Sequence, residues 1–245
     1  MPVLYVALLI AGWFQPPTEM PPFVVNHPKT VTYYYQSPDP ALGAKLLKEL
    51  LTKENLEHPW FVKNDQVLIL VGAALGDIAT GHPEVVRDYE AAFADVPVAG
   101  RKVVLRALMN CGDKQTLEQV ESWLGAESTA QPKAELRALK KHFADPERKH
   151  IRDVPAREPK ELDLLWVNFF VTGEYAPVSR ILDVFDLPDA KENAVLKRVA
   201  RWSLASNLQQ HPRLVELVQE HSQKRPPRSR KVVEEVLAQP TQNPN

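Results

Sequence analysis

Apolar residues recur at helical spacing along most of the chain. After Asp39 and Pro40, which suit the start of a helix, leucines at positions 42, 46, 47, 50 and 51 fall on one face. The run that begins at Asp65 is apolar around more of its circumference, which is typical of a central helix. Its main stripe is formed by Val67, Leu70, Val71, Ala74, Leu75 and Ile78.

Further amphipathic runs follow as far as residue 238. ELDLLWVNFFVTG is almost entirely apolar and is predicted to be a buried helix, while ENAVLKRVARWSLASN is predicted to turn Val195, Val199 and Trp202 inward. The other stripes are Val85, Val86, Tyr89 and Phe93; Val103, Val104, Ala107, Leu108 and Cys111; Leu117, Val120, Trp123 and Leu124; and Val178, Ile181, Leu182 and Phe185. The pattern predicts an all-α domain over residues 39–238, followed by a disordered tail at 239–245.

A similar phrase separates these runs at four points: TGHPEVVRDY, CGDKQTLEQV, TGEYAPVSRI and NLQQHPRLVEL. Gly81 and Gly112 are 31 residues apart, Gly112 and Gly173 are 61 apart, and Asn207 comes 34 residues later. A glycine or asparagine allows the left-handed turn that ends a helix, and the proline or aspartate after it starts the next.

A period of roughly 31–34 residues, with one member missing near His142, indicates stacked helical hairpins. Each hairpin is too small to bury its own apolar face, so its neighbours must cover it. We therefore predict an α-α superhelix, a solenoid of helical hairpins. An irregular helical bundle with similar helix ends is the alternative.

The stretch ALMNCGDKQTLEQVESWL resembles the short HEAT-like repeats of the bilin-lyase type, in which a Gly-Asp pair, here Gly112-Asp113, joins two helices. The resemblance extends in degenerate form from Asn64 to Ser222. It implies a right-handed superhelix of helical hairpins. That superfamily includes scaffolds, pigment-attachment proteins and a di-iron hydroxylase, and the hydroxylase type depends on repeated His-Glu pairs. This sequence contains no His-Glu pair.

Residues 23–38 differ from the helical pattern. VVNHPKTVTYYYQ is rich in β-branched and aromatic residues, which predicts an extended N-terminal arm lying along the helices. In an extended chain Tyr34 would point away from Tyr33 and Tyr35, so at least one ring could meet a partner. The alternative is that the arm is clamped onto the first helices.

Residues 1–22 contain an uncharged apolar run from Val3 to Phe14 and a proline-rich linker. The run is shorter than the roughly 20 residues that span a bilayer, but it suits a secretory signal or a membrane tether. It carries no preceding Lys or Arg, and a first element packed on the domain explains it equally well. Export to the cell envelope and a cytoplasmic location therefore stand as equal alternatives.

Composition excludes several classes of protein. The net charge of −1 provides no overall field that would attract nucleic acid, and the single cysteine, Cys111, rules out an intrachain disulfide. Cys111 is interpreted as a small core residue. The segment KRPPRSRK could still form a local phosphate-binding patch from Lys224, Arg225, Arg228, Arg230 and Lys231. A solvated loop with helix-end cations is the alternative.

No catalytic, cofactor or metal site is predicted. Four of the seven histidines, His27, His58, His82 and His211, precede proline and are interpreted as residues at helix starts. We therefore expect a non-catalytic scaffold that binds a protein or peptide partner, with Tyr33, Tyr34 and Tyr35 as candidate contacts. Phosphate or nucleic-acid binding through the basic cluster is the first alternative. An enzyme with a carboxylate or histidine site in a concave groove is the second.

Overall fold

A computed structural model describes residues 21–27, 29–63, 65–96, 98–111 and 155–238, together with the single positions 118 and 141. These residues are mostly helical, and they contain no β-strand. The all-α prediction is therefore confirmed for the described part of the chain. Residues 21–111 and 155–238 belong to two different compact units, each with its own core.

The first unit is built around one central helix. Its helices are α1 (Pro22–Asn26), α2 (Ala41–Leu50), α3 (Lys53–Leu56), α4 (Pro59–Lys63), α5 (Asp65–Ala79), α6 (Pro83–Asp95) and α7 (Val98–Cys111). Helix α5 contacts α2, α4, α6 and α7. All six members of its predicted stripe, Val67 to Ile78, are buried, as the apolar circumference of this run predicted.

Two glycines let α5 approach α7 closely. Gly72 and Gly76 lie one turn apart on α5, and both face the backbone of α7. A Cβ atom at Gly72 would lie 2.8 Å from the Val103 carbonyl oxygen, and one at Gly76 would lie 2.7 Å from Asn110 Cβ and would also clash with the Ala107 carbonyl. Asn110 Nδ2 in turn donates to the Ala73 carbonyl, 3.1 Å away. The two backbones are therefore locked together at this crossing.

We expect Gly76→Ala to lower the free energy of unfolding by about 2 kcal/mol, because overpacking against a rigid backbone outweighs the gain in helix propensity. Chemical denaturation followed by circular dichroism measures the change. Gly81→Asn is the matched control, since nothing lies within 4 Å of a Cβ at Gly81 and asparagine tolerates its positive φ of 82°. A Gly76→Ala variant as stable as Gly81→Asn would contradict the close crossing.

The predicted helix ends are partly confirmed. Gly81 and Gly173 have the left-handed φ values of 82° and 64°, and His82, preceding Pro83, lies at the start of α6. Gly112 is outside the described residues. The break predicted at Asn207 is confirmed to within one residue, since the helix ends at Leu208, but Asn207 itself is buried in the last turn, where its Nδ2 donates to the Ser203 carbonyl, 2.9 Å away. The chain then turns at residues 209–211.

The second unit consists of α8 (Pro159–Thr172), α9 (Tyr175–Asp183), a 3₁₀ turn (Val184–Asp186), α10 (Lys191–Leu208), α11 (Pro212–Ser222) and α12 (Pro227–Leu237). Helix α8 begins with a reciprocal capping box between Glu158 and Glu161, and from Leu162 to Val171 only Leu164 is not fully buried. The stripe Val178, Ile181, Leu182 and Phe185 is buried as predicted.

The inward face predicted for α10 is wrong. Val195 is 56% exposed and Trp202 is 42% exposed, while Val199 is only partly buried. The buried face is offset from the predicted one by one residue, and consists of Leu196, Ala200, Ser203, Leu204 and Asn207. Both series have helical spacing, so periodicity alone could not separate them.

The extended arm predicted for residues 23–38 is also wrong. This segment forms α1, a series of turns and a 3₁₀ turn at Tyr34–Gln36, and its backbone is paired locally, as in the 3.0 Å bond from Tyr33 N to the Lys29 carbonyl. Asn55 Oδ1 accepts a hydrogen bond from Phe23 N at 3.0 Å. An isolated strand would leave its backbone groups without partners, whereas turns satisfy them within the segment.

Candidate partner-binding surface

The tyrosine triplet is only partly accessible. Because Tyr34 and Tyr35 lie in a 3₁₀ turn, the three rings do not alternate as they would in a strand. Tyr34 is 6% exposed, Tyr33 and Tyr35 are half-buried, and burial raises the pKa of both Tyr33 and Tyr34. Tyr34 therefore belongs to the core, and only the edges of its two neighbours are open to a partner.

Within the predicted basic cluster, Arg225 forms an internal ion pair. Its Nη2 lies 2.6 Å from Asp183 Oδ1 and 3.3 Å from Asp186 Oδ2, and its Nη1 donates to Ser179 Oγ at 3.0 Å. The side chain of Arg225 is 11% exposed. Two carboxylates thus already balance its charge, and its hydrogen-bond donors point into the protein.

The same segment forms the start of α12. Asp186 Oδ1 accepts a hydrogen bond from Ser229 N at 3.1 Å, so a carboxylate from the preceding 3₁₀ turn caps this helix. Arg230 Nη2 donates to the Arg225 carbonyl at 3.1 Å. The start of α12 is therefore fastened to α9 and to the 3₁₀ turn by the contacts of Arg225, Asp186 and Arg230. The sequence alone indicates the basic residues of this cluster but not their carboxylate partners.

The remaining cations of the cluster are exposed and do not converge. Arg228 Nη1 lies 3.6 Å from Asp189 Oδ2, and Lys231 Nζ lies 3.9 Å from Glu235 Oε1. Lys224 is exposed at the turn before α12. Of the five residues predicted to bind phosphate, only Lys224, Arg228 and Lys231 retain exposed charged groups.

The outward face of α10 carries two of the three large apolar side chains that are exposed among the described residues, Val195 and Trp202. Val195 and Trp202 are seven residues apart, so they lie in one stripe on one side of the helix, and Val199 between them is partly buried and packs against the core. The other large exposed apolar side chain, Val62 at 66%, belongs to the first unit. Scattered exposed apolar residues are ordinary, but an exposed tryptophan and an exposed valine aligned on one helix, with the edge of Val199 between them, form a small patch.

Charged residues border this stripe unevenly. Lys191 and Arg198 are seven residues apart, so they lie along the same edge, and both are exposed. Glu192 lies on the opposite edge. Arg201 belongs to the side facing α12, where its Nη1 lies 2.8 Å from Glu235 Oε2. One edge of the stripe is therefore cationic, with a carboxylate across from it.

Burial displaces the pKa values of several ionisable groups among the described residues. Burial raises the pKa of Asp163 to about 7 and that of the half-buried Cys111 to about 12, and it lowers the pKa of His211 to about 4. His211 stacks on Phe170 with a centroid distance of 4.9 Å. Among the described residues, no group of three or more His, Cys, Asp or Glu is arranged to hold a metal ion.

Histidines that precede proline lie mainly where the sequence predicts. His58, His82 and His211 each come immediately before a helix, whereas His27 ends α1 and its Nε2 lies 2.8 Å from Glu49 Oε2. Trp60 and Trp166 are buried, whereas Trp202, which is predicted to face inward, is exposed; Trp123 lies outside the described residues.

The one signal that could have identified the α10 surface is the presence of two parallel stripes. Leu196, Ala200 and Leu204 repeat at intervals of four, one residue out of step with Val195 and Val199. A helix that carries two adjacent apolar stripes indicates a second contact surface, but the pattern does not show which stripe meets the core.

In the part of the chain that the structure describes, every helix is too short or too polar to cross a membrane. No protein-family model matches the sequence, and neither a curated protein nor a solved structure is found to be similar to the chain.

Proposed function

We propose that this protein is a non-catalytic, helical-repeat scaffold that binds a protein or peptide partner through the outward face of α10. The observation that carries the proposal is the exposure of Val195 and Trp202 on one stripe of that helix. Large aromatic side chains dominate the energetics of protein interfaces, and tryptophan is among the most enriched residues at their energetic centres.

A partner would gain free energy by covering the exposed apolar surface of α10. Trp202 and Val195 keep about half of their surface in contact with water although their helix is firmly packed on its other side. Removing apolar surface from water contributes roughly 25 cal/mol per Å². Because the helix is already ordered by its buried face, a partner would find the stripe preorganised, and little conformational entropy would be lost on binding.

We further propose that the helices stack as repeated hairpins. Successive helices of the second unit contact one another along the chain, and Gly81 with Pro83 and Gly173 with Tyr175 mark two of the sharp junctions that the repeat pattern predicts. These features support stacked hairpins of the HEAT-like type. Such an array presents a long surface on which recognition needs only suitable side chains. The partner can belong to the cell envelope or to the cytoplasm.

A photoreactive residue at position 195 provides the test. We expect p-benzoylphenylalanine in place of Val195 to form a discrete, stoichiometric adduct in the native cells. The same residue in place of Lys231, whose side chain is 77% exposed on α12, should form no such adduct. We also expect Trp202→Ala to abolish the adduct at position 195 while the circular dichroism spectrum stays unchanged, because truncating an interface tryptophan costs about 2 kcal/mol or more.

Equal labelling from positions 195 and 231 would show that the α10 stripe has no specific partner. An adduct that is insensitive to Trp202→Ala would also contradict the proposal. Phosphate or nucleic-acid binding, the first alternative, would now depend on Lys224, Arg228 and Lys231, because Arg225 is paired with two carboxylates. No observation on the described residues favours the enzymatic alternative.

A further inference from the structure

We infer that the partner presents an acidic amphipathic helix to α10. This inference rests on the proposed function and specifies the chemistry of the partner. The shape of the stripe suits a helical partner. Val195 and Trp202, with the partly buried Val199 between them, span two helical turns, about 10 Å of helix axis. A straight ridge of this length is matched by the apolar side of a second helix, with anchors at i, i+3 or i+4, and i+7.

The positive charge beside the stripe suits an acidic partner. Arg198 is three residues after Val195 and four before Trp202, so its guanidinium borders both anchors. Lys191 continues the same edge one heptad earlier. Arg201, in contrast, is paired with Glu235 at 2.8 Å and adds little to this edge. A carboxylate on the partner, placed beside its own apolar anchors, would complement Arg198 and Lys191.

The same charges disfavour a second copy of this chain. A two-fold axis that packs Val195 of one copy against Trp202 of the other passes between positions 198 and 199. That symmetry brings the two Arg198 side chains together on the same edge, and like charges placed against each other at an interface are costly. An anionic membrane is disfavoured as well. Two cations contribute only about 1 kcal/mol each at such a surface, and Glu192 opposes them.

Two synthetic peptides of about four helical turns are the probes. Each carries leucine at i, i+3, i+4 and i+7. One has glutamate on the flanking positions, and the other has lysine there. We expect the full-length protein to bind the acidic peptide in fluorescence anisotropy. Trp202→Ala should weaken binding about 30-fold, and Arg198→Glu about tenfold, with a switch of preference toward the lysine peptide. Arg228→Glu, a charge reversal on α12, is the matched control and should change neither affinity.

The peptide and crosslinking results together separate a failure of the acidic-helix inference from a failure of the proposed function. Equal affinity for the two peptides, or no binding of either one while position 195 still forms its adduct, overturns the acidic-helix inference and leaves the proposed function intact. Self-association that Trp202→Ala abolishes would identify a second copy instead. Binding to phosphatidylserine vesicles, lost in Arg198→Glu, would identify a membrane. Absence of both peptide binding and the adduct would overturn the inference and the proposed function together.

Discussion

Replacing Asp163 with asparagine is expected to raise the free energy of unfolding by up to about 4 kcal/mol above about pH 8, and to change it little near pH 4. Asp163 is 6% exposed on α8, and among the described residues its Oδ1 accepts no hydrogen bond. Burial raises the pKa of this carboxyl from 3.8 to about 7. An asparagine side chain is neutral at every pH and therefore avoids the cost of the buried charge.

The direction in which Asp163 changes stability with pH follows from the number of protons bound in the folded and unfolded states. Between about pH 4 and pH 7 the unfolded chain has released the Asp163 proton and the folded chain still holds it, so this group makes stability fall as the pH rises. Its stabilising contribution is complete below the unfolded pKa and is lost once the pH passes the folded value near 7.

His211 has the opposite effect over nearly the same range. Burial lowers its pKa from 6.5 to about 4, so below pH 6.5 the unfolded chain binds a proton that the folded chain excludes. Stability from this group is complete above about pH 6.5 and is lost as the pH falls through about 4. Both residues lie in the second unit, and their slopes should nearly cancel in the unmodified protein.

Asp163→Asn should therefore reveal the His211 slope, with stability rising by up to about 3 kcal/mol from about pH 4 to pH 6.5. His211→Asn should leave only the effect of Asp163, so that the free energy of unfolding falls as the pH rises over the same range. Urea denaturation at a series of pH values measures both, and Asp88→Asn at an exposed position is the control. A pH profile of Asp163→Asn that runs parallel to that of the unmodified protein would contradict this balance.

Arg225→Ala is expected to lower the free energy of unfolding by about 3 kcal/mol, because it removes the charged hydrogen bonds from the nearly buried Arg225 to the half-buried carboxylates of Asp183 and Asp186. The substitution also removes the hydrogen bond from Arg225 Nη1 to Ser179 Oγ, which fastens the turn before α12 to α9. This loss of stability is expected in the absence of any phosphate ligand.

Denaturation of Arg225→Ala beside Arg228→Ala separates these roles. Arg228 is 59% exposed and lies 3.6 Å from Asp189, and exposed pairs of this kind contribute less than about 1 kcal/mol. Arg225→Lys should recover only part of the loss, since lysine cannot reach both carboxylates and Ser179 with a planar fork. An Arg225→Ala variant that is as stable as Arg228→Ala, but binds inorganic phosphate less tightly, would restore the phosphate-site interpretation of Arg225.

Most of the helical architecture could be predicted because the signals are local. The stripe from Val67 to Ile78 repeats at 3.6 residues whatever surrounds it, and Gly81 and Gly173 adopt left-handed backbone conformations that other residues adopt at a cost. The predicted arm failed because β-branched residues indicate a strand only when a second strand can pair with it. Here the 3₁₀ turn at Tyr34–Gln36 satisfies the backbone within the segment.

The sequence by itself determined that this chain is helical, where most of its helices begin and end, and that α5 and α8 are buried. These properties depend on neighbours within about one or two turns. Only the tertiary structure decided which stripe of α10 meets the core, that Arg225 pairs with a carboxylate 42 residues away, and that Asp163 is buried. Those properties depend on side chains brought together from distant segments, whose free energies of packing and desolvation exceed any local preference. The candidate surface of α10 is exposed because Leu196, Ala200 and Leu204 occupy the core in place of Val195 and Trp202.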